Sequence, residues 1–181
     1  MLNESLARRY SIALYASAKA KGEESLQLKE LRIVQGVLAE NPALRRALIA
    51  PTISRPVKRK VLQAVFGGQV GQRTSNFLYV LVDKGREIYL DDIVESYKRE
   101  FCAEKGIIEV LAESASTLEE SLQAEITQQL GRLTGKKVKM EVVVRPELIG
   151  GLVLKYSGYL FDGSVRRHLD NIHDLMAPSS I

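Results

Sequence analysis

The sequence predicts an α-helical bundle over residues 1–106 followed by a small α+β domain over residues 107–181. Three observations predict it. Apolar residues recur every third or fourth position as far as Phe101, then every second position from Ile108, the patterns of amphipathic helices and half-buried strands. Of the 181 residues, 45% are hydrophobic and 27% charged, which excludes collagen-like, disordered and disulfide-scaffold chains and permits two small domains. Charge divides at the same place. Through Gly106 there are 18 Lys and Arg against 12 Asp and Glu, or +6; thereafter 8 against 10, or −2.

Each element has a local reason. From about Asn3 to Lys21, Leu6, Tyr10, Leu14 and Ala18 recur every fourth residue, one apolar stripe of a helix that Gly22 ends. Beside it Ala7, Ala13, Ala16, Ser17 and Ala20 are small enough for a second helix to approach closely. Leu31, Val34 and Leu38 mark the next helix. Asn41-Pro42 then breaks the chain, with Asn as N-cap and Pro as first residue of a short helix to Ile49. Ser54 and Pro56 open a helix striped by Val57, Val61, Leu62, Val65 and Phe66, which Gly67-Gly68 closes. Phe77 to Val82 is an unbroken apolar run, read as helix because Gly85 follows it as a C-cap and helices flank it. A helix apolar all round is central or lends a face to a partner. Leu90, Ile93, Val94, Tyr97 and Phe101 mark a last long helix ending near Gly106.

In the second domain Ile108, Val110 and Ala112 alternate with Glu109, Leu111 and Glu113 as a strand. Thr117 to Glu120 has the spacing of a capping box before a helix carrying Leu118, Leu122, Ile126, Leu130 and Leu133. Val138, Met140, Val142 and Val144 mark another strand. Leu152–Leu154 and Tyr159–Phe161 form a hairpin around Ser157-Gly158, and Val165, Leu169, Ile172 and Met176 a final helix. Three or four strands and two helices result.

Catalytic and metal signatures fail one by one. The single Cys102 can form neither an internal disulfide nor a thiolate zinc site. His168 and His173 are five apart on a helix, where shared metal ligation prefers three or four. The stretch from Gly131 to Lys137 has too few residues between its glycines for a phosphate loop, and Lys137 where a magnesium-binding hydroxyl belongs. Acidic pairs Asp91-Asp92 and Glu119-Glu120 fall at helix starts, where they complement the positive end of the dipole. No metal, cofactor or catalytic residue is therefore expected. No apolar run approaches the ~20 residues of a membrane span, and the start of the chain, with Glu4 and no apolar core segment, is not a signal peptide. Two basic clusters, Arg45-Arg46 and Lys58-Arg59-Lys60, keep open a second reading as a basic nucleic-acid-binding module with an accessory α+β domain. They lack the interleaved aromatics that base stacking uses.

Four segments resemble one known family. They are Ala7-Arg8-Arg9-Tyr10-Ser11-Ile12-Ala13-Leu14-Tyr15; Asn76-Phe77-Leu78 with Leu81 and Gly85-Arg86; Pro146 to Leu152; and Phe161-Asp162-Gly163-Ser164-Val165-Arg166 with Leu169. In this order and spacing they are similar to the delta subunit of F-type ATP synthases, whose mitochondrial counterpart is the oligomycin-sensitivity-conferring protein. The resemblance runs from about Leu6 to Met176. It implies a six-helix N-terminal bundle, a small α+β C-terminal domain and a non-catalytic place in the peripheral stalk, which ties the catalytic head to the membrane sector. It also implies that N-terminal helical segments of alpha subunits dock on the first and fifth helices, with Tyr10, Ala13, Leu14, Asn76, Phe77 and Val80 as contacts. The C-terminal domain, with signature residues Gly150, Gly151, Asp162, Gly163 and Ser164, would receive the stator b subunits. No nucleic acid is then expected. The membrane is reached only through the complex, on the cytoplasmic face of a bacterial plasma membrane or in a thylakoid. Ser11 and Tyr15 stand where the family more often has Ala and Phe, and Ser157 where it has Gly.

Overall fold

A computed structural model describes the backbone of residues 2–156 and 159–176 and the side chains of 4–156 and 159–170. The chain divides into two compact units, Met1–Phe101 and Cys102–Ile181. In the first, helices α1 (Leu2–Lys19), α2 (Glu24–Glu40), α3 (Pro42–Ile49), α4 (Arg55–Phe66), α5 (Gln72–Lys84) and α6 (Leu90–Glu104) follow one another, with a 3-10 turn at Glu87–Tyr89.

Helix α1 buries Ala7, Ser11, Leu14, Tyr15 and Ala18, whereas Leu6 and Tyr10 are only half-buried. The buried face is thus rotated from the every-fourth-residue stripe that the sequence suggests. At about 100° per residue such a stripe drifts some 40° each step, and the neighbouring helices decide which part of it is covered. Here α6 decides: the Ser11 and Ser96 hydroxyls share a 2.8 Å hydrogen bond, and the Tyr15 and Tyr97 rings meet at 5.4 Å. Both departures from the family pattern are therefore core residues. Burial pushes the Tyr97 hydroxyl well above its ordinary pKa, with Tyr15 and Glu24 adding to the shift, so it stays neutral and donates to the Glu24 carbonyl at 3.2 Å.

The Phe77–Val82 run lies within α5, with Phe77, Leu78, Leu81 and Val82 in the core. Gly85 closes it at φ +62°, in the left-handed region. The Arg86 N–H then bonds the Leu81 carbonyl at 2.8 Å and the Gly85 N–H that of Val82 at 3.1 Å, the paired bonds of a Schellman closure. Below it, Gln27 donates to the Thr74 hydroxyl at 2.7 Å and Thr74 donates to Glu30, which ties α5 to α2 through satisfied buried groups.

Caps differ from expectation. Asn41 does not cap α3; its side-chain amide donates back to the Val37 carbonyl at 2.9 Å and finishes α2. Ser54 likewise makes no side-chain cap on α4, and Val57 is exposed. The Thr117 capping box does not form either. Leu118 packs against the core of the second unit, and helix α7 begins only at Glu120.

The second unit is a four-stranded sheet in the order β2-β1-β3-β4. Strands β1 (Ile107–Ser114) and β2 (Lys137–Val144) are parallel and joined through α7 (Glu120–Thr134). Strands β3 (Leu152–Tyr156) and β4 (Tyr159–Asp162) add antiparallel, and α8 (Val165–Met176) follows. Every second residue of β1 is buried, as its alternation requires. Helix α7 rests against β2, so Ile126 and Leu130 reach the core while Leu122 and Leu133 stay exposed. Ser157 and Gly158, and the side chains of Ile172, His173 and Met176, lie outside the described residues.

Candidate partner-binding surfaces

Leu6, Arg9, Tyr10 and Ala13 stand at i, i+3, i+4 and i+7 on α1, one face of the helix. Together with Arg86, just past the α5 closure, they line an open cleft of about 330 Å³. Of the six contacts inferred from sequence, Tyr10 and Ala13 lie in this cleft. Asn76 and Val80, one turn apart on α5, are exposed, and Asn76 accepts a 2.9 Å bond from Gln72. Leu14 and Phe77 are only 6% and 9% exposed and belong to the core; they support the surface from behind. Leu6, Arg9 and Arg86 are additions that the contact set did not contain. Arg86 owes its place to the closure of α5, for which Gly85 was the available signal.

An apolar cavity beside Val34, Leu48, Leu81 and Glu87 holds about 30 Å³, room for roughly one water. Among the described residues no three His, Cys, Asp or Glu side chains converge as a metal site. Gly135, at φ +65°, simply closes α7, which is all that the phosphate-loop resemblance amounts to. His168 is exposed and Cys102 half-buried.

The basic clusters are largely neutralised. Arg45 pairs with Asp91, Arg59 forks onto Asp83 with both ends, and Lys58 is buried against Glu87. Three of the five cations that suggested phosphate contacts therefore hold α3 to α6, α4 to α5 and α4 to the 3-10 turn. Glu87 spends one oxygen on Lys58, and its Oε2 is buried without a hydrogen-bond partner. Lys58→Met is accordingly expected to destabilise the protein by about 3 kcal/mol, because it strands a buried carboxylate. Adding Glu87→Leu should recover most of that loss. Urea unfolding of the single and double variants measures both.

In the second unit, the signature residues build a junction. Gly151 sits at φ +81°, and a Cβ there would fall 2.2 Å from the Gly163 carbonyl oxygen. The Val165 N–H bonds the Gly150 carbonyl and the Gly163 N–H that of Leu152, both at 2.9 Å. Ser164, buried, accepts from the Arg167 N–H at 3.2 Å and so caps α8. Asp162 accepts from the Ser164 N–H at 3.0 Å. That bond, the Ser164 side chain and the nearby Arg167 guanidinium hold its carboxyl below the ordinary value.

These features meet known proteins at full length. A family model described as ATP synthase delta (OSCP) subunit matches residues 6–176. The chain is 36% identical over 174 residues to "ATP synthase subunit delta" of Symbiobacterium thermophilum, covering 96% of this chain and 94% of that one. It is 34% identical over 169 residues to the protein of the same description from Carboxydothermus hydrogenoformans, covering 93% and 95%. The chain belongs to the ATP synthase delta (OSCP) subunit family. A chain of the cryo-EM structure of the Toxoplasma gondii mitochondrial ATP synthase hexamer shares its fold, with TM-score 0.73, 25% identity, and 96% and 98% of the two chains covered. Delta-family membership makes this a structural component of the synthase's peripheral stalk, not a catalytic subunit. Among the described residues no helix is long and apolar enough to cross a membrane.

One acid limb follows for this delta-family chain. Because the folded-state pKa of Asp162 is depressed, its contribution to stability is present above the ordinary value of 3.8 and is lost as pH falls through the lower folded value. Hydrogen exchange in the second unit between pH 5 and 2 should show this loss, and Asp162→Asn should remove it.

Proposed function

We propose that the helical unit grips N-terminal helical segments of the alpha subunits of the catalytic head, and that the α+β unit receives the ends of the stator b helices. In this reading α1–α6 act as one six-helix bundle, and the functional division between the two ends falls at Gly106–Ile107. The observation that carries the head contact is the partly exposed α1 face, Leu6-Tyr10-Ala13, with its open cleft, together with Asn76 and Val80 left uncovered on α5. An amphipathic helix laid on such a face is anchored by alternate turns. Support for the b contact comes from apolar side chains left exposed on β4 and early α8: Tyr159, Leu160, Phe161, Val165 and Leu169. Surfaces of this kind mark interaction sites.

Function then follows mechanically. Rotation of the central shaft exerts torque on the head, and a part that holds the head still needs affinity at both ends and no reactive group. The chain would lie on the cytoplasmic face of a bacterial plasma membrane, held there through its partners. Calorimetric titration of the full chain with a synthetic peptide of the alpha subunit's N-terminal helix tests the head contact. Submicromolar binding is expected. Absence of binding to the peptide, with salt-dependent binding to RNA in its place, overturns the proposal.

A further inference from the structure

We propose that Arg9 and Arg86 form a basic rim on the α1 cleft that selects a docked helix carrying an acidic side chain between the two guanidiniums. This rests on the head-binding reading of the cleft above. The cleft's lining of Leu6, Arg9, Tyr10, Ala13 and Arg86 contains two cations and no carboxylate.

Arginines lining other clefts of the helical unit are paired with carboxylates. Arg8 and Arg99 share theirs with Glu100 and Glu4, at 3.8 and 3.7 Å. Arg45 and Arg59 line two more and are paired with Asp91 and Asp83. Among the described residues neither Arg9 nor Arg86 has an acidic partner.

Arg86 is also half-buried, and its backbone is fixed in place. Its N–H bonds Leu81 at 2.8 Å and its carbonyl accepts from Tyr89 at 3.1 Å. Two like charges facing one cleft repel until an anion bridges them. The guanidinium fork suits a carboxylate, which it can bind through two parallel bonds. The apolar floor, at helical spacing on α1, says that this carboxylate arrives on an amphipathic helix and not as a free anion.

The test is a double-mutant cycle on the full chain. One peptide is the alpha subunit's N-terminal helix; the other is the same peptide with every Asp and Glu changed to Asn and Gln. The neutral peptide is expected to bind the unaltered protein about 10-fold more weakly, less than a fully buried charge pair would give because Arg9 is exposed. The Arg9→Gln/Arg86→Gln protein should bind the acidic peptide about 10-fold more weakly too, and should no longer distinguish the two peptides. Raising salt from 50 to 500 mM should weaken binding to the unaltered protein several-fold more than to the double variant. Arg9→Lys/Arg86→Lys should retain part of the discrimination, which separates lost charge from a damaged fold. Equal affinity of the unaltered protein for both peptides overturns the basic rim while leaving the head contact intact. If neither peptide binds, both fall.

Discussion

Ala13→Arg is expected to weaken binding of the alpha-subunit helix by about 100-fold or more, which corresponds to about 2.7 kcal/mol, while the purified protein stays folded. Ala13 is exposed and lines the α1 cleft with Tyr10 and Arg9. An arginine there fills the space that the docked side chains would occupy. Losses of this size are those seen where a central contact of an interface is blocked. The fold should tolerate the change. Arginine is a good helix former, and its only new intrahelical conflict is with Arg9 four residues earlier, which costs a few tenths of a kcal/mol. Circular dichroism and thermal unfolding check the fold, calorimetry the affinity. ATP synthesis in vesicles containing the reassembled complex should fall with it. Unchanged affinity would place the contact elsewhere.

Gly151→Val should be the most damaging single substitution in the second unit, at about 4 kcal/mol. Two penalties add: a left-handed backbone for a side chain with a Cβ, roughly 1–2 kcal/mol, and overpacking, typically 1–3 kcal/mol. The second is severe here because the obstacle is backbone. The new Cβ would lie 2.2 Å from the Gly163 carbonyl oxygen and 2.9 Å from the Ser164 Cα, so the turn that caps α8 must open. Gly22→Ala provides the contrast. Gly22 has a similar φ of +68° with nothing within 4 Å of a Cβ, so only the backbone penalty of ~1–2 kcal/mol applies. Hydrogen exchange should show protection lost in β3, β4 and α8 of Gly151→Val and kept in α2 and α5, because the two units have separate apolar cores. Equal loss in both units would refute this.

How much of this was legible depended on how local each feature was. The change of period near Gly106, the helical reading of Phe77–Val82 and the burial of alternate β1 residues rest on neighbours a few residues apart, and all three are present in the fold. Caps fared worse. Asn41, Ser54 and Thr117 are residues of the right type, yet none makes the side-chain cap that its spacing suggests. Each had competing partners, such as the Val37 carbonyl behind Asn41. The contact residues divide along the same line. Ala13 and Val80 face outward, but Leu14 and Phe77 are core, and nothing in an apolar stripe says which of its edges a neighbouring helix will cover.

By itself, then, the sequence determined the two-part architecture and its family, since periodicity, glycine positions and short motifs are properties of the chain alone. Only the tertiary structure decided which charges are already spent. Arg45, Lys58 and Arg59 read as a basic patch until Asp91, Glu87 and Asp83, between 24 and 46 residues away, are brought against them. Arg9 and Arg86 were unremarkable until folding left them in one cleft without a counter-charge. Coulomb interactions act through space with a range of about a Debye length, some 10 Å, and that distance has no fixed relation to separation along the chain.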